Sequence, residues 1–306
     1  MKKILVTGHN GFLGSHLTEE LSKKFEIIGL SNNHTKNSKI KQINKDIRKV
    51  KTSDIPKDIS CIIHLAALTD VKFCEKFPTQ CFQVNVMGTQ NLLEIARNLN
   101  SKFIFLSTSH VYGVPENLPI TEKHSLHPTS NYASSKLAAE IICESYSKSY
   151  NLDCTILRIF SVYGPKSPEH LVTSRIISQF LTKNIIELGN SNSKRDFIYV
   201  KDVISAIEFV IKKSKGFKIY NVGNGKSFSI LELCTILENI TGKNISIKPI
   251  KSLLRKTDAI DVFSNNSHLR QLGWKSKISI KEGLKITFDW FYSNSKKSML
   301  AIHQNN

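Results

Sequence analysis

The chain has 306 residues, 40% hydrophobic and 22% charged, which suits one large domain or two closely joined ones and excludes a disordered chain or a small disulfide scaffold. No apolar run approaches the ~18 residues of a membrane span, so no membrane partner is expected. The 43 Lys and Arg against 25 Asp and Glu give +18, but the cations are spread end to end, only seven are Arg, and no clustered stripe with aromatics marks a nucleic-acid surface.

Lys3 to Thr7 reads as a strand, followed by a glycine turn and an amphipathic helix to about Lys24. Strands are expected at Phe25–Leu30, ahead of Asp46, at Cys61–Ala66, at Lys102–Ser107 and at Cys154–Ile159. Helices are expected at Phe77–Asn98, with Pro78 in the first turn, and at Tyr132–Tyr150. This alternation predicts a doubly wound parallel α/β sheet of the Rossmann type over residues 1–164, with later segments such as 195–213 joining it. After Gly164-Pro165 the rhythm changes. Helices at His170–Thr182, Lys201–Lys212, Ser229–Thr241 and Ile280–Tyr292, with strands at Ile185–Leu188 and Lys218–Val222, predict a smaller C-terminal α/β substrate lobe over 165–292. Residues 293–306 read as a polar, frayed tail. The apolar run at the N-terminus stops at Thr7, too short for a secretory leader, so the six cysteines are expected to be reduced thiols in the cytosol.

Gly8, Gly11 and Gly14 in Thr7-Gly8-His9-Asn10-Gly11-Phe12-Leu13-Gly14 lie between the first strand and the first helix. A pyrophosphate needs this turn: close backbone approach, tight helix–strand packing and a helix N-terminus offering N–H donors. An acid usually follows by ~20 residues to accept the ribose 2′-hydroxyl. Here Ser31 stands in its place, with Asn32, Asn33 and Lys36 beyond it. A carboxylate that would repel a 2′-phosphate is missing, so NAD and NADP both remain open. Asp46 and Ile47 follow the next strand, where Asp46 meets the adenine or caps a turn.

Tyr132 and Lys136 stand at i and i+4 on one helix face. A neighbouring ammonium and a nicotinium ring favour the phenolate and are expected to lower the tyrosine pKa from ~10. Thr108, Ser109 and His110 close the preceding strand at its carboxyl end, where open α/β sheets bind ligands. His124 and His127 have metal-like spacing but lie in a loop without further ligands, so no metal is expected.

In this order and spacing the chain resembles the extended short-chain dehydrogenase/reductase family, the NAD(P)-dependent nucleotide-sugar epimerases, dehydratases and 4-ketoreductases. The marks are the glycine loop, His64-Leu65-Ala66-Ala67, Asn85 before Gly88-Thr89, Ser107-Thr108-Ser109-His110-Val111-Tyr112-Gly113, Tyr132/Lys136, Arg158 to Pro165, Arg195 to Val203, and Leu272-Gly273-Trp274. The resemblance implies that Tyr132 is the acid/base, Lys136 its partner on the nicotinamide ribose, and Thr108 the hydroxyl on the sugar. It implies a cofactor site of Gly8, Asn10, Gly11, Phe12, Leu13, Gly14, Ser31, Asn32, Asp46, Ile47, Leu65, Ala66, Ala67, Asn85, Tyr132 and Lys136. It implies a nucleotide-diphosphate sugar held by Thr69, Ser109, His110, Ser161, Arg195 and Arg255. It also implies a homodimer through the helices beginning near Phe77 and Tyr132.

The related dehydratases carry acids just after the strand-end Thr, where this chain has Ser109 and His110. A 4-epimerase on a UDP-sugar with bound NAD is the first expectation. An NADPH-dependent 4-keto-6-deoxy sugar reductase comes second, supported by Ser31, by the short connection from Gly164 to Arg195 and by Glu187-Leu188-Gly189-Asn190. A 4,6-dehydratase and a non-catalytic dinucleotide-binding protein follow; the intact Thr108, Tyr132 and Lys136 oppose the last.

Overall fold

The computed structural model describes residues 2–33, 40–250 and 259–304, with the backbone alone from 296 onward. In chain order the elements are β1 (Lys3–Thr7), α1 (Phe12–Leu21), β2 (Glu26–Ser31), β3 (Lys41–Asn44), β4 (Ile59–His64), α2 (Val71–Lys76), α3 (Pro78–Phe82), α4 (Gly88–Leu99), β5 (Lys102–Thr108), α5 (Asn131–Tyr150) and β6 (Cys154–Ile159). There follow β7 (Ser161–Tyr163), α6 (Val172–Thr182), β8 (Ile185–Leu188), β9 (Lys194–Arg195), β10 (Phe197–Tyr199), α7 (Val200–Lys213), β11 (Lys218–Val222), β12 (Phe228–Ser229), α8 (Ile230–Thr241), β13 (Ser246–Pro249), β14 (Asp261–Val262), α9 (Ser267–Gln271) and α10 (Ile280–Gln304).

Seven strands form one sheet in the order β11-β6-β5-β4-β1-β2-β3. All of its pairings are parallel. The fold is a Rossmann-type doubly wound sheet. Its strands are apolar on both faces because helices cover both. Ile4, Val6 and Ile104 pack under Leu17 of α1 and Val203 and Ile207 of α7. Leu5, Ile62, Phe103 and Phe105 pack under Leu92 and Ala96 of α4 and Ala139 of α5. The strand order reverses beside β1, so the carboxyl ends of β1 and β4 open the crevice in which such sheets bind ligands. A third core, built on Tyr163, Phe180, Phe197, Leu233 and Leu284, lies under the short strands that follow β6.

The structure departs from the sequence expectations in three places. Lys218–Val222 is not a strand of the smaller lobe; it is the outer strand of the main sheet, with Tyr220 opposite Leu157. The helix expected at Phe77–Asn98 is broken into α3, a π turn over Gln83–Met87, and α4. The wider π turn suits a buried polar pair, Asn85 and Thr89, with the Thr89 hydroxyl donating to the Asn85 carbonyl at 2.6 Å. The expected frayed tail instead continues α10 to Gln304, since Ser293 to Gln304 contains no Gly or Pro to stop it. No described helix is long and apolar enough to cross a membrane.

Candidate active site

Gly8 leaves β1 at φ +66°, the left-handed region, and a Cβ there would press on the Ala66 nitrogen at 2.9 Å. At Gly14 a Cβ would collide with the Gly8 carbonyl and the His9 backbone. Gly11 donates its N–H to the Gly8 carbonyl at 3.0 Å and opens α1 without a side-chain cap. The first N–H groups of the helix, at Phe12 and Leu13, are therefore not covered by a capping side chain, which is what a pyrophosphate requires. These residues fit a dinucleotide.

At the end of β2 the Ser31 hydroxyl donates to Asn10 Oδ1 at 3.0 Å and accepts the Asn33 N–H at 3.1 Å. Asn10 Nδ2 in turn donates to the Asn33 carbonyl at 3.0 Å. Ser31 is buried and Asn32 exposed at this rim. The Asp46 carboxylate accepts the Arg48 N–H at 2.8 Å and pairs with the Arg48 guanidinium, which holds its pKa below the usual carboxylate range. Asp46 thus shapes its own turn, and Ile47 is buried where a Cβ on Gly88 would meet it.

Sequence reasoning missed a buried relay beneath the Leu65-Ala66-Ala67 lining. Thr7 Oγ1 accepts the N–H groups of Leu65 at 3.2 Å and Ala66 at 3.1 Å, and meets His64 Nδ1 at 2.8 Å. His64 Nε2 meets Thr89 Oγ1 at 3.0 Å. Thr89 gives its only hydrogen to Asn85, so His64 carries its proton on Nε2 and accepts from Thr7 on Nδ1. Burial holds His64 well below its ordinary pKa, consistent with this neutral tautomer. Asn85, expected to line the cofactor, is 1% exposed, and its amide is engaged by both backbone groups of Leu68 and by Ser135. It holds the lining from behind.

Thr108, Ser109, His110, Tyr132 and Lys136 come together at the carboxyl end of β5. The Thr108 side chain faces the Tyr132 phenol and acts to lower its pKa. The ring of His110 stands edge-on to Tyr132, with centroids 6.1 Å apart. Lys136 is 4% exposed, with Nζ 3.9 Å from the centre of the Phe105 ring. The expected lowering of the Tyr132 pKa is not what the protein alone produces: burial pushes it up to about 12, against the opposing pull of the Thr108 side chain. Lys136 bears over Phe105, and burial pushes its own pKa down to about 8.

Thr69 is exposed beyond the β4 lining, and Ser161 opens β7, its N–H donating to the Asp196 carbonyl at 2.9 Å. Arg195 is half-buried on β9 and donates to the carbonyls of Lys194 at 2.7 Å and Ala259 at 2.9 Å. Its neighbour Asp196 is fully buried, accepting from Asn224, Gly225 and Ser264. That web fixes the strand carrying Arg195. Arg255 and Lys36 lie outside the described residues. His124 is used within its loop, meeting Thr121 and Asn117.

Comparison with known proteins shows the family. The model of the NAD dependent epimerase/dehydratase family matches residues 4–223. A dTDP-D-glucose 4,6-dehydratase of Homo sapiens is 32% identical, over 96% of this chain and 91% of that protein. Among solved structures, a UDP-glucuronic acid 4-epimerase from Bacillus cereus, in complex with UDP-glucuronic acid and NAD, is 30% identical with a TM-score of 0.88, over 95% of this chain and 99% of that one. A UDP-N-acetylglucosamine 4-epimerase from Methanobrevibacter ruminantium, in complex with UDP-N-acetylmuramic acid, is 30% identical with a TM-score of 0.89, over 96% and 99%. The chain belongs to the NAD dependent epimerase/dehydratase family and is an NAD-dependent enzyme of the extended short-chain dehydrogenase/reductase type.

Proposed function

We propose that the protein is a nucleotide-sugar 4-epimerase acting on a UDP-sugar, as a cytoplasmic homodimer. The carrying observation is that Thr108, at the end of β5, and Tyr132 and Lys136, on α5, lie beside a turn, Ser109–Tyr112, that holds no carboxylate. A 4,6-dehydratase must also move a proton at C5 and expel the C6 hydroxyl, and that work calls for an acid or base beyond Tyr132. The similar UDP-sugar 4-epimerases support the same reading.

NAD, when bound, is the redox partner of sugar C4. The protein's part is proton movement and orientation. Thr108 holds the C4 oxygen, and Tyr132, acting as its phenolate once the cofactor is bound, takes the C4 hydroxyl proton and returns it after the 4-keto sugar has presented its other face. Lys136 supplies positive charge beside this transfer, and Gly8, Gly11 and Gly14 keep the backbone close to the pyrophosphate. Arg195, with Arg255, is proposed to grip the sugar-nucleotide diphosphate. Exposed Met87, Ile141 and Tyr150, in the π turn before α4 and on α5, supply apolar surface for the dimer.

Mass spectrometry of the nucleotide that copurifies is the direct test. Bound NAD, with interconversion of a UDP-sugar at C4, is the expected result. An empty site that prefers NADPH to NADH would instead favour the 4-ketoreductase reading, for which the absent acid at Ser31 is the supporting observation.

A further inference from the structure

We infer that Glu75 is a positioning residue for Tyr132, clasping the first turn of the catalytic helix to the segment that borders the cofactor site. Glu75 Oε1 accepts the backbone N–H of Asn131 at 2.8 Å, and Oε2 accepts the Asn131 side-chain amide at 2.9 Å. Asn131 opens α5 and Tyr132 follows it. Helix starts leave N–H groups without partners, so they fray unless something accepts them. Here Ser130 accepts from Ala133 at 3.2 Å, and Glu75 takes the donor at Asn131. A carboxylate also suits the positive end of the helix dipole.

Glu75 belongs to α2, which follows directly on the Leu65–Asp70 segment. Asp70 caps α2 through the Phe73 N–H at 3.2 Å, and Cys74 lies at 3.7 Å from the Leu68 carbonyl. The clasp therefore ties the cofactor-side lining to the turn that carries Tyr132. It acts from the solvent side of that turn, opposite the buried tie that Asn85 makes to Ser135. Without it the turn opens, and the Tyr132 phenol loses its station beside Thr108. The role is geometric, so an uncharged acceptor serves.

The kinetic part rests on the proposed epimerase activity; the structural part does not. Glu75→Ala and Glu75→Gln are compared in the full chain with bound cofactor. Glu75→Ala is expected to lower kcat about tenfold while KM for the UDP-sugar stays within about twofold, because binding groups are untouched and only the proton carrier is displaced. Amide hydrogen exchange of residues 131–133 is expected to quicken in the same variant. Glu75→Gln, whose carbonyl still accepts the Asn131 N–H, is expected to restore both within about twofold. Unchanged exchange in Glu75→Ala, or a Glu75→Gln variant as impaired as Glu75→Ala, overturns the clasp. Should the unmodified protein turn over no UDP-sugar, the proposed function fails, and the exchange measurement still decides the clasp by itself.

Discussion

The amide of Asn85 donates to Ser135 Oγ at 2.9 Å, and Ser135 donates onward to the Tyr132 carbonyl at 2.7 Å. The same amide accepts the Leu68 N–H at 2.8 Å and donates to the Leu68 carbonyl at 3.0 Å. One buried side chain thus joins the loop after β4 to the first turn of α5. Asn85→Ala is expected to cost about 2–4 kcal/mol, because several dry backbone and hydroxyl groups lose their partner together. Asn85→Asp, which loses the donors and adds a charge, is expected to cost at least as much. Urea denaturation measures both; a loss below about 0.5 kcal/mol in either would show that the interior re-pairs without the amide.

Tyr132→Phe removes the proposed proton carrier and leaves the ring. Turnover is expected to fall by at least a factor of about 100 while the copurified or titrated nucleotide still binds. Thr108→Val, which deletes the hydroxyl facing the phenol, is expected to reduce kcat more than it raises KM. Both are read from steady-state kinetics alongside cofactor fluorescence. A Tyr132→Phe variant with undiminished turnover would move the acid/base role elsewhere, with the neighbouring His110 as the first residue to examine.

The parts of this site that sequence could show are the local ones. The glycine loop sits inside a strand–turn–helix, and Tyr132 and Lys136 are one helical turn apart, so spacing alone carries the message. Five strands of the main sheet, β1, β2, β4, β5 and β6, were legible for the same reason, because each is a short buried apolar run of its own. What sequence could not show depends on distant pairings. Nothing local says that Thr7 will meet His64, that Glu75 will meet Asn131, or that Lys218–Val222 will dock beside β6. The π turn at Gln83–Met87 hides because its apolar spacing still passes for an α-helix. Spacing places Lys136 near Tyr132 without revealing that, in the protein alone, its ammonium rests over Phe105 while burial raises the phenol's pKa.

Lys136 carries a stability cost that pH should expose. Burial pushes its pKa down from 10.5 to about 8. Between those values the unfolded chain holds a proton that the folded chain has lost, so stability rises with pH across that window. Below it, the buried ammonium costs up to about 3 kcal/mol, from 1.36 kcal/mol per pKa unit. Lys136→Met is therefore expected to be inactive yet more stable than the unmodified protein near pH 7, by a margin that shrinks as pH approaches 10. Denaturation of the nucleotide-free proteins at several pH values tests this. A margin that does not change with pH would mean that packing, and not the charge, sets the difference.

The buried pair of Arg158 and Glu140 should behave differently from the many surface pairs of this basic chain. Their side chains are 2% and 4% exposed, and the guanidinium reaches the carboxylate at 2.7 Å. Arg158 also donates to Tyr112 Oη at 3.0 Å and to the Glu122 carbonyl at 3.1 Å. Tyr112 passes its hydrogen to Asn221 Oδ1 at 2.7 Å, which links β6, α5 and β11 beneath the site. Arg158→Met leaves the Glu140 carboxylate buried without its partner and is expected to cost about 3–5 kcal/mol. Arg158→Met combined with Glu140→Leu removes both charges and is expected to recover most of that loss, since desolvating the pair consumes much of its attraction. Glu140 lies one turn beyond Lys136, so the double variant also removes the nearest carboxylate on that helix, and its kcat is expected to fall even where its stability recovers. Calorimetry and kinetics on the two single variants and the double variant separate these effects. If the double variant is no more stable than Arg158→Met, the cost lies in the lost Tyr112 and Glu122 contacts and not in an unpaired charge.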